Sequence, residues 1–459
     1  MIADLVVRGG TLVTPDAMWR GGVAVASGRI AALDRDDALP DARDTIDATG
    51  LHVLPGVIDT HVHLRDPGVL EREDWHTGTR AAAAGGVTTI LEMPIAKPPV
   101  HTAAILRERA AIVAPKSLVD FGLYAGASHT NLDEIPAMAD AGAIAFKTFR
   151  TAPVPGRETE FLGICCPDAG QMLEVMELTG RTGRLHVVHA EDQQVVDAAS
   201  ARVRATGRRG GRVHAWSRPP VAETSSVAQN IALAAATGAR LQIAHLSAPA
   251  AADLVGEAKR RGLLVTAETC PHYLMLDEDA LERWGPYAKC NPPLRPREMQ
   301  DRLWEAVTDG RIDVIGTDHS PFLVREKGPV DGDIWTAPPG MPALEEFVPL
   351  MLTAVRRGRL TLSHLVRLVC ANPARLFGLW PWKGNLAVGA DADLTLVNLA
   401  EEYVHDHRRL YTKSRETAVC YDGIRMQGRP VATVVRGRVV MRAGEVIGEP
   451  GWGRWLQPA

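Results

Sequence analysis

The chain has 459 residues, 46% of them hydrophobic and 23% charged, with a formal net charge of −4. These values describe a soluble globular protein with room for one large domain and a smaller one. They exclude a general electrostatic attraction to nucleic acid or an anionic membrane, and no basic run with interleaved aromatics restores it. Met1 to Arg8 lack a basic region followed by a long apolar stretch, so no signal peptide is expected. No apolar run is long enough to span a bilayer. The six cysteines follow neither a zinc-finger spacing nor a secreted disulfide pattern, and Cys165 and Cys166 are neighbours, which suits reduced thiols. A cytoplasmic location is expected.

Residues 1–55 read as short alternating strands with turn signals at Gly9-Gly10 and Gly28. From Gly56 the style changes. Eight β-branched apolar runs follow, at 56–63, 87–94, 119–127, 143–149, 184–191, 240–247, 263–269 and 312–318. Alanine-rich stretches of helical composition lie between them, at 77–85, 103–114, 169–182, 227–237 and 250–261. They end in Gly or basic residues, as helix C-termini often do. Strand and helix alternating eight times predict a (β/α)8 TIM barrel, which needs roughly 250 residues or more; here it would occupy 56–375. After 376 the short strands return, at 392–397 and 431–441, and Val434-Val435-Arg436-Gly437 echoes Val6-Val7-Arg8-Gly9. The predicted class is α/β: a barrel beside a small β-sandwich domain built from 1–55 and 376–459.

Active sites of such barrels lie at the C-terminal ends of the strands. The first run, Gly56-Val57-Ile58-Asp59-Thr60-His61-Val62-His63, ends in two histidines one residue apart. Side chains alternate along a strand, so His61 and His63 share a face and can grip one metal ion. Taken alone, the pair also reads as the polar cap of a core strand. The fourth run carries Lys147 among apolar residues, the fifth ends at His189, the sixth at His245, and the eighth at Thr317-Asp318-His319. Each has a plain alternative: a lysine reaching solvent, a satisfied core histidine, a helix-capping aspartate. Unmodified lysine is also a poor metal ligand, because it stays protonated. Five strands delivering nitrogen or carboxylate groups to one rim favour a metal site. His186 and His319 are expected to support the ligands from other directions.

The constellation resembles the amidohydrolase superfamily, and within it the cyclic-amide branch of dihydroorotases, allantoinases and hydantoinases. The likeness runs over nearly the whole chain and is most specific in the block at 56–63, Glu268-Thr269-Cys270-Pro271-His272-Tyr273-Leu274, Lys289-Cys290-Asn291-Pro292-Pro293-Leu294-Arg295 and Thr317-Asp318-His319-Ser320-Pro321. The resemblance implies two divalent metal ions, usually zinc. His61, His63 and Asp318 would hold one and His189 and His245 the other, with a carboxylated Lys147 as bridge. Asp318 would be the catalytic acid–base group. It further implies a small cyclic amide as partner and a homodimer or homotetramer as assembly. Relatives that serve as non-enzymatic assembly proteins have lost ligands, whereas all six ligand positions are intact here.

The ring to be opened is read from Arg65, Ile95, Ala152 and Phe322, which disagree. Arg65 resembles the dihydroorotase arginine that clamps a substrate carboxylate, and Asn291 also suits that family. Ile95 and Phe322 stand where dihydroorotases usually place Asn and His, which weakens a site for a carboxylated ring. Phe322 suits hydantoinases, which generally have a tyrosine where this chain has Ala152. The balance favours an allantoinase- or hydantoinase-like hydrolase of a five- or six-membered ureide or imide, with dihydroorotase as the alternative. Arg150 and Arg157, in the Pro- and Gly-rich stretch after Lys147, are candidates to meet the substrate, and Trp335 is a candidate lid residue.

Overall fold

The computed structural model describes residues 2–458. Eight parallel strands surround its centre: Val57–Val62, Val87–Glu92, Asp120–Leu123 continued by Ala125–Gly126, Phe146–Phe149, Leu185–His189, Arg240–Ile243, Val265–Thr269 and Val314–Ile315. Each pairs in parallel with the next. The ring closes where Val62 bridges His319 and the His63 N–H donates to the His319 carbonyl at 2.9 Å. The strands are shorter than the apolar runs that announce them. His245 and Asp318, at the ends of the sixth and eighth runs, have φ of +35° and +49°, values that a strand cannot accommodate. The site residues thus lie where the chain has just left the sheet.

Helices cover the barrel, as a parallel sheet requires. Every residue of the second strand is buried, in keeping with a sheet packed on both faces. Trp75–Ala84 starts at Asp74, whose carboxylate accepts from the Thr77 N–H at 2.7 Å. Ala169–Thr182 starts at Asp168 in the same way and stops at Gly183, which takes the left-handed conformation. Pro220–Thr237 begins well before the alanine-rich stretch at 227, because Pro220 brings a φ already suited to a first helical turn. Two further helices, Gln193–Ala205 and Arg212–Ser217, are inserted between the fifth and sixth strands.

Strands from both ends of the chain form one nine-stranded sheet, the small β-sandwich of the fold. His52–Pro55 pairs with Ala3–Val13 on one side and with Leu394–Val404 on the other. Leu5, Val7 and Val25 share an apolar cluster with Leu394, Leu396 and Val434, which is why the early and late segments carry the same alternating pattern. Residues 405–424 leave this sheet and run along the barrel mouth. There the Ser414 hydroxyl donates to the Arg72 carbonyl at 2.7 Å and the Thr417 hydroxyl to the Phe322 carbonyl at 2.9 Å. No helix among the described residues is long and apolar enough to cross a membrane.

Sheet and barrel are joined by a buried charge cluster. The Lys383 ammonium lies 2.7 Å from Asp393 and 3.0 Å from Asp391, and also donates to Asp120 on the third barrel strand. Arg436 approaches Asp120 from the sheet at 3.0 Å. Removing one partner leaves buried charge uncompensated, which costs about 3–5 kcal/mol. Lys383→Ala should therefore lower the urea midpoint by that equivalent with little change in slope; an unchanged midpoint would refute the cluster's role.

Candidate metal centre

At the C-terminal ends of the strands a cavity of about 760 Å³ opens, with His61, His63, His189, His245 and Asp318 in its lining. Among the described residues, His61, His63 and Asp318 bring three ligand atoms within 4.8 Å of one another. The Asp318 carboxylate is 3.3 Å from Nε2 of both histidines. On the other side, His189 Nδ1 faces His245 Nε2 at 3.0 Å, and the rings of His61 and His245 are 5.3 Å apart. Lys147 stands on the fourth strand, fully buried, with no hydrogen-bond partner at Nζ. A second acidic group, Asp120, Asp391 and Asp393, also brings its oxygens together, but there the Lys383 ammonium already supplies the positive charge.

Carboxylates behind the histidines set their orientation. His61 Nδ1 is 2.7 Å from Glu268 on the seventh strand, whose other oxygen accepts from the Thr60 hydroxyl at 2.5 Å. His189 Nε2 is 2.8 Å from Glu191, which also takes the Arg218 guanidinium. Each carboxylate fixes a ring so that its remaining nitrogen faces the cavity, the arrangement found behind metal-binding histidines. Neither carboxylate was given a role from sequence. Both carry a legible signal, a charged residue in or just after an apolar strand. The partner of Glu268 lies on another strand, whereas that of Glu191 is the histidine two residues before it, at the end of the fifth strand.

Burial governs the electrostatics. It pushes His63 and His245 well below the usual histidine range, with help from nearby cations, so both are neutral donors. It lowers the Lys147 amine to about 8 against the opposing charges of Glu268 and Asp318. Asp318 is raised by the same desolvation, although His61 and Lys147 pull the other way. Burial also acts upward on Glu268, but the His61 charge and hydrogen bond outweigh it and hold the carboxylate below its ordinary range.

The remaining expected residues divide. Arg65 and Ile95 line the cavity, as does Asn291, whose side-chain oxygen is buried without a partner. Arg65, at φ +61°, gives one guanidinium nitrogen to Ser320 at 2.8 Å, while Nε and Nη1 are buried and unpartnered. Ile95 belongs to an apolar wall with Phe161 and Ile164. Phe322 does not line the cavity: its ring lies behind the wall, 5.5 Å from Arg65, 4.7 Å from Arg72 and 5.1 Å from Arg157. Its electron-rich faces hold a group of cations together rather than meeting a substrate. Arg157 does line the cavity, in an ion pair with Glu160. Arg150 is neither at the cavity nor at the surface; it is buried, donating to the carbonyls of Cys166 at 2.6 Å and Asp168 at 3.0 Å. Trp335 lines the cavity under the Arg204 guanidinium, 4.0 Å from its ring centre.

The two supporting histidines act on backbone and walls instead of on the ligands. His186 lies between Thr148 and Thr179, at 2.8 and 3.0 Å. His319 receives the N–H groups of Ala343 and Leu344 at 3.1 and 3.2 Å. Alternation along the fifth strand explains the first: His186 is odd in register with His189 and turns outward.

Comparison with known proteins places this geometry. The family model described as Amidohydrolase family matches residues 52–440. An allantoinase of Deinococcus radiodurans is 39% identical over 461 residues, covering 100% of this chain and 99% of its own. A dihydroorotase of Methanothermobacter thermautotrophicus is 39% identical over 434 residues, 95% of this chain and 93% of its own. The solved structure of an L-hydantoinase from Arthrobacter aurescens superposes with a TM-score of 0.95 at 37% identity, covering 99% of this chain and 100% of that one. With a family model spanning most of its length and full-length relatives of these three kinds, the chain belongs to the amidohydrolase family, in its cyclic-amide branch.

Proposed function

We propose that the protein hydrolyses a C–N bond in a small cyclic amide, a five- or six-membered ureide or imide of the allantoin or hydantoin kind, at a binuclear metal centre. The observation that carries this reading is Lys147: a fully buried amine without a hydrogen-bond partner, beside four histidines and one carboxylate at the barrel mouth. A buried ammonium in that position has carboxylates nearby but no hydrogen-bond acceptor, and burial disfavours it. The same nitrogen as a carbamate supplies two anionic oxygens that would bridge two cations. His61, His63 and Asp318 would hold one ion and His189 and His245 the second, a set of imidazole and oxygen donors that suits zinc.

When bound, two such ions acidify a water and polarise the ring carbonyl. The chain's own residues do the rest. Asp318, whose carboxylate is 3.3 Å from His61 and His63, accepts the proton of the attacking water. It then hands that proton to the ring nitrogen, because an amide anion departs very poorly. Asn291 and Arg65 orient the ring, and the wall of Ile95, Phe161 and Ile164 receives its apolar edge. We place the domain division of the chain at 1–55 with 376–459, and 56–375, and read the assembly as a homodimer or homotetramer in the cytoplasm.

A second reading, dihydroorotase, is favoured by one observation: the buried, unpartnered Nε and Nη1 of Arg65, which suit a substrate carboxylate. Against it, Ile95 and the hidden Phe322 offer that carboxylate no further partner. Turnover of allantoin, hydantoin, dihydrouracil, succinimide and dihydroorotate separates the two. A neutral ring should lead dihydroorotate by about tenfold or more in kcat/KM, and the reverse order would establish the second reading. Lys147→Ala should lose bound metal, and a folded variant keeping two ions per chain would refute the bridge. Asp318→Asn should fold and lose roughly a hundred- to ten-thousand-fold in kcat; near wild-type turnover would remove the proton-transfer role.

A further inference from the structure

A buried lysine outside the ligand set controls one wall of the cavity. Lys289 follows the short helical turn Gly285–Ala288 and stands two residues before Asn291. Its ammonium donates to the carbonyls of Ile334 and Ala337, each at 2.6 Å, and to that of Trp335 at 3.5 Å. An ammonium has three N–H donors, and all three are spent on this one loop. The Lys289 backbone adds a second tie, its carbonyl accepting from the Gly340 N–H at 2.8 Å. Both ends of the 334–340 segment are therefore fastened to one residue, and the segment forms cavity wall from Trp335 to Gly340.

The wall reaches the substrate-facing arginine. Gly340, at φ +146°, is pressed so closely to Ser320 that a Cβ there would lie 2.6 Å from its hydroxyl oxygen. Ser320 is the partner of Arg65 at 2.8 Å. Movement of 334–340 would free Ser320 and, with it, Arg65. On the other side the Lys289 chain continues to Asn291, which lines the same cavity and whose side-chain oxygen is buried without a partner. Burying an ammonium is costly unless its donors are filled, so lysine, loop and hydrogen bonds form together or not at all.

We propose that Lys289 is a positioning residue: by holding the carbonyls of Ile334, Trp335 and Ala337 it sets the Trp335–Gly340 wall against Ser320 and Asn291, and so fixes affinity for the ring. Lys289 lines the cavity itself, but its three donors are spent on the loop carbonyls, so its part is to hold the wall and not to meet the reacting atoms. This rests on the cavity being the substrate site. Lys289→Met keeps the length of the side chain and removes its charge and donors, whereas Lys289→Arg keeps both. In the metal-loaded protein, the Met variant should show faster backbone hydrogen exchange in peptides covering 329–341, with barrel peptides unchanged. Its KM for the best ring of the panel should rise about tenfold with kcat within about threefold, and the Arg variant should recover part of both losses. A merely structural role would lower kcat and metal content together and leave KM alone. If Lys289→Met fails to fold, Lys289→Gln, with two N–H donors, should give a smaller shift in the same direction. Unchanged exchange in the loop would overturn the anchor. Faster exchange with unchanged KM would overturn its effect on affinity. A wild type inactive on every ring would instead overturn the reading of the site, with the exchange result still testing the anchor.

Discussion

The Glu268 carboxylate is taken wholly out of water and placed 2.7 Å from His61, with the Thr60 hydroxyl on its other oxygen. A charge buried in that way must be compensated, and its compensation organises the mouth of the barrel. It fixes which nitrogen of His61 faces the cavity. It also acts on Lys147 across the barrel, favouring the ammonium that burial disfavours. Glu191 repeats the device for His189, with Arg218 neutralising it from the cavity side. Strand seven and the segment just after strand five thus each carry an acid that orients an imidazole. Each imidazole can then turn its remaining nitrogen toward the centre of the cavity.

Such a site strains the backbone that presents it. Arg65, His245 and Asp318 all have left-handed φ values, although none is glycine. Each costs about 1–3 kcal/mol and persists only where the surroundings over-determine it. Here the surroundings are the closed barrel, the hydrogen bond from His63 to the His319 carbonyl and the grip of Ser320 on Arg65. The barrel supplies rigidity and the bends at its strand ends spend some of it on aiming side chains.

What could be read from the chain follows from which constraints are local. Period-two alternation puts His61 and His63 on one face, and the recurrence of apolar runs makes the eight-strand barrel legible. The positions of Lys147, His189, His245 and Asp318 at run ends then follow. Pairings between strands are not local. Nothing in the run Val265-Thr266-Ala267-Glu268-Thr269 says that its acid faces His61, and nothing near Pro321 says that Phe322 will be enclosed by three arginines instead of facing a substrate. Arg150 looked like a loop arginine and is a buried clasp on two carbonyls. The helices Gln193–Ala205 and Arg212–Ser217 are additions to the strand–helix alternation, so the recurrence of apolar runs does not announce them.

The nine-stranded sheet has a consequence for how the chain reaches its native state. His52–Pro55 is made before any of the barrel, and its partner Leu394–Val404 after all of it. The pairing closes a loop that contains the whole barrel, and contacts of such sequence separation repay their entropy cost last. Until then the early strands hold an open edge, the kind of surface that invites pairing with another chain. The 405–424 segment that seats Arg72 and Phe322 follows Leu394–Val404 in the chain and depends on the same long-range closure. The substrate side of the cavity is completed late, long after the barrel's first histidines have left the ribosome.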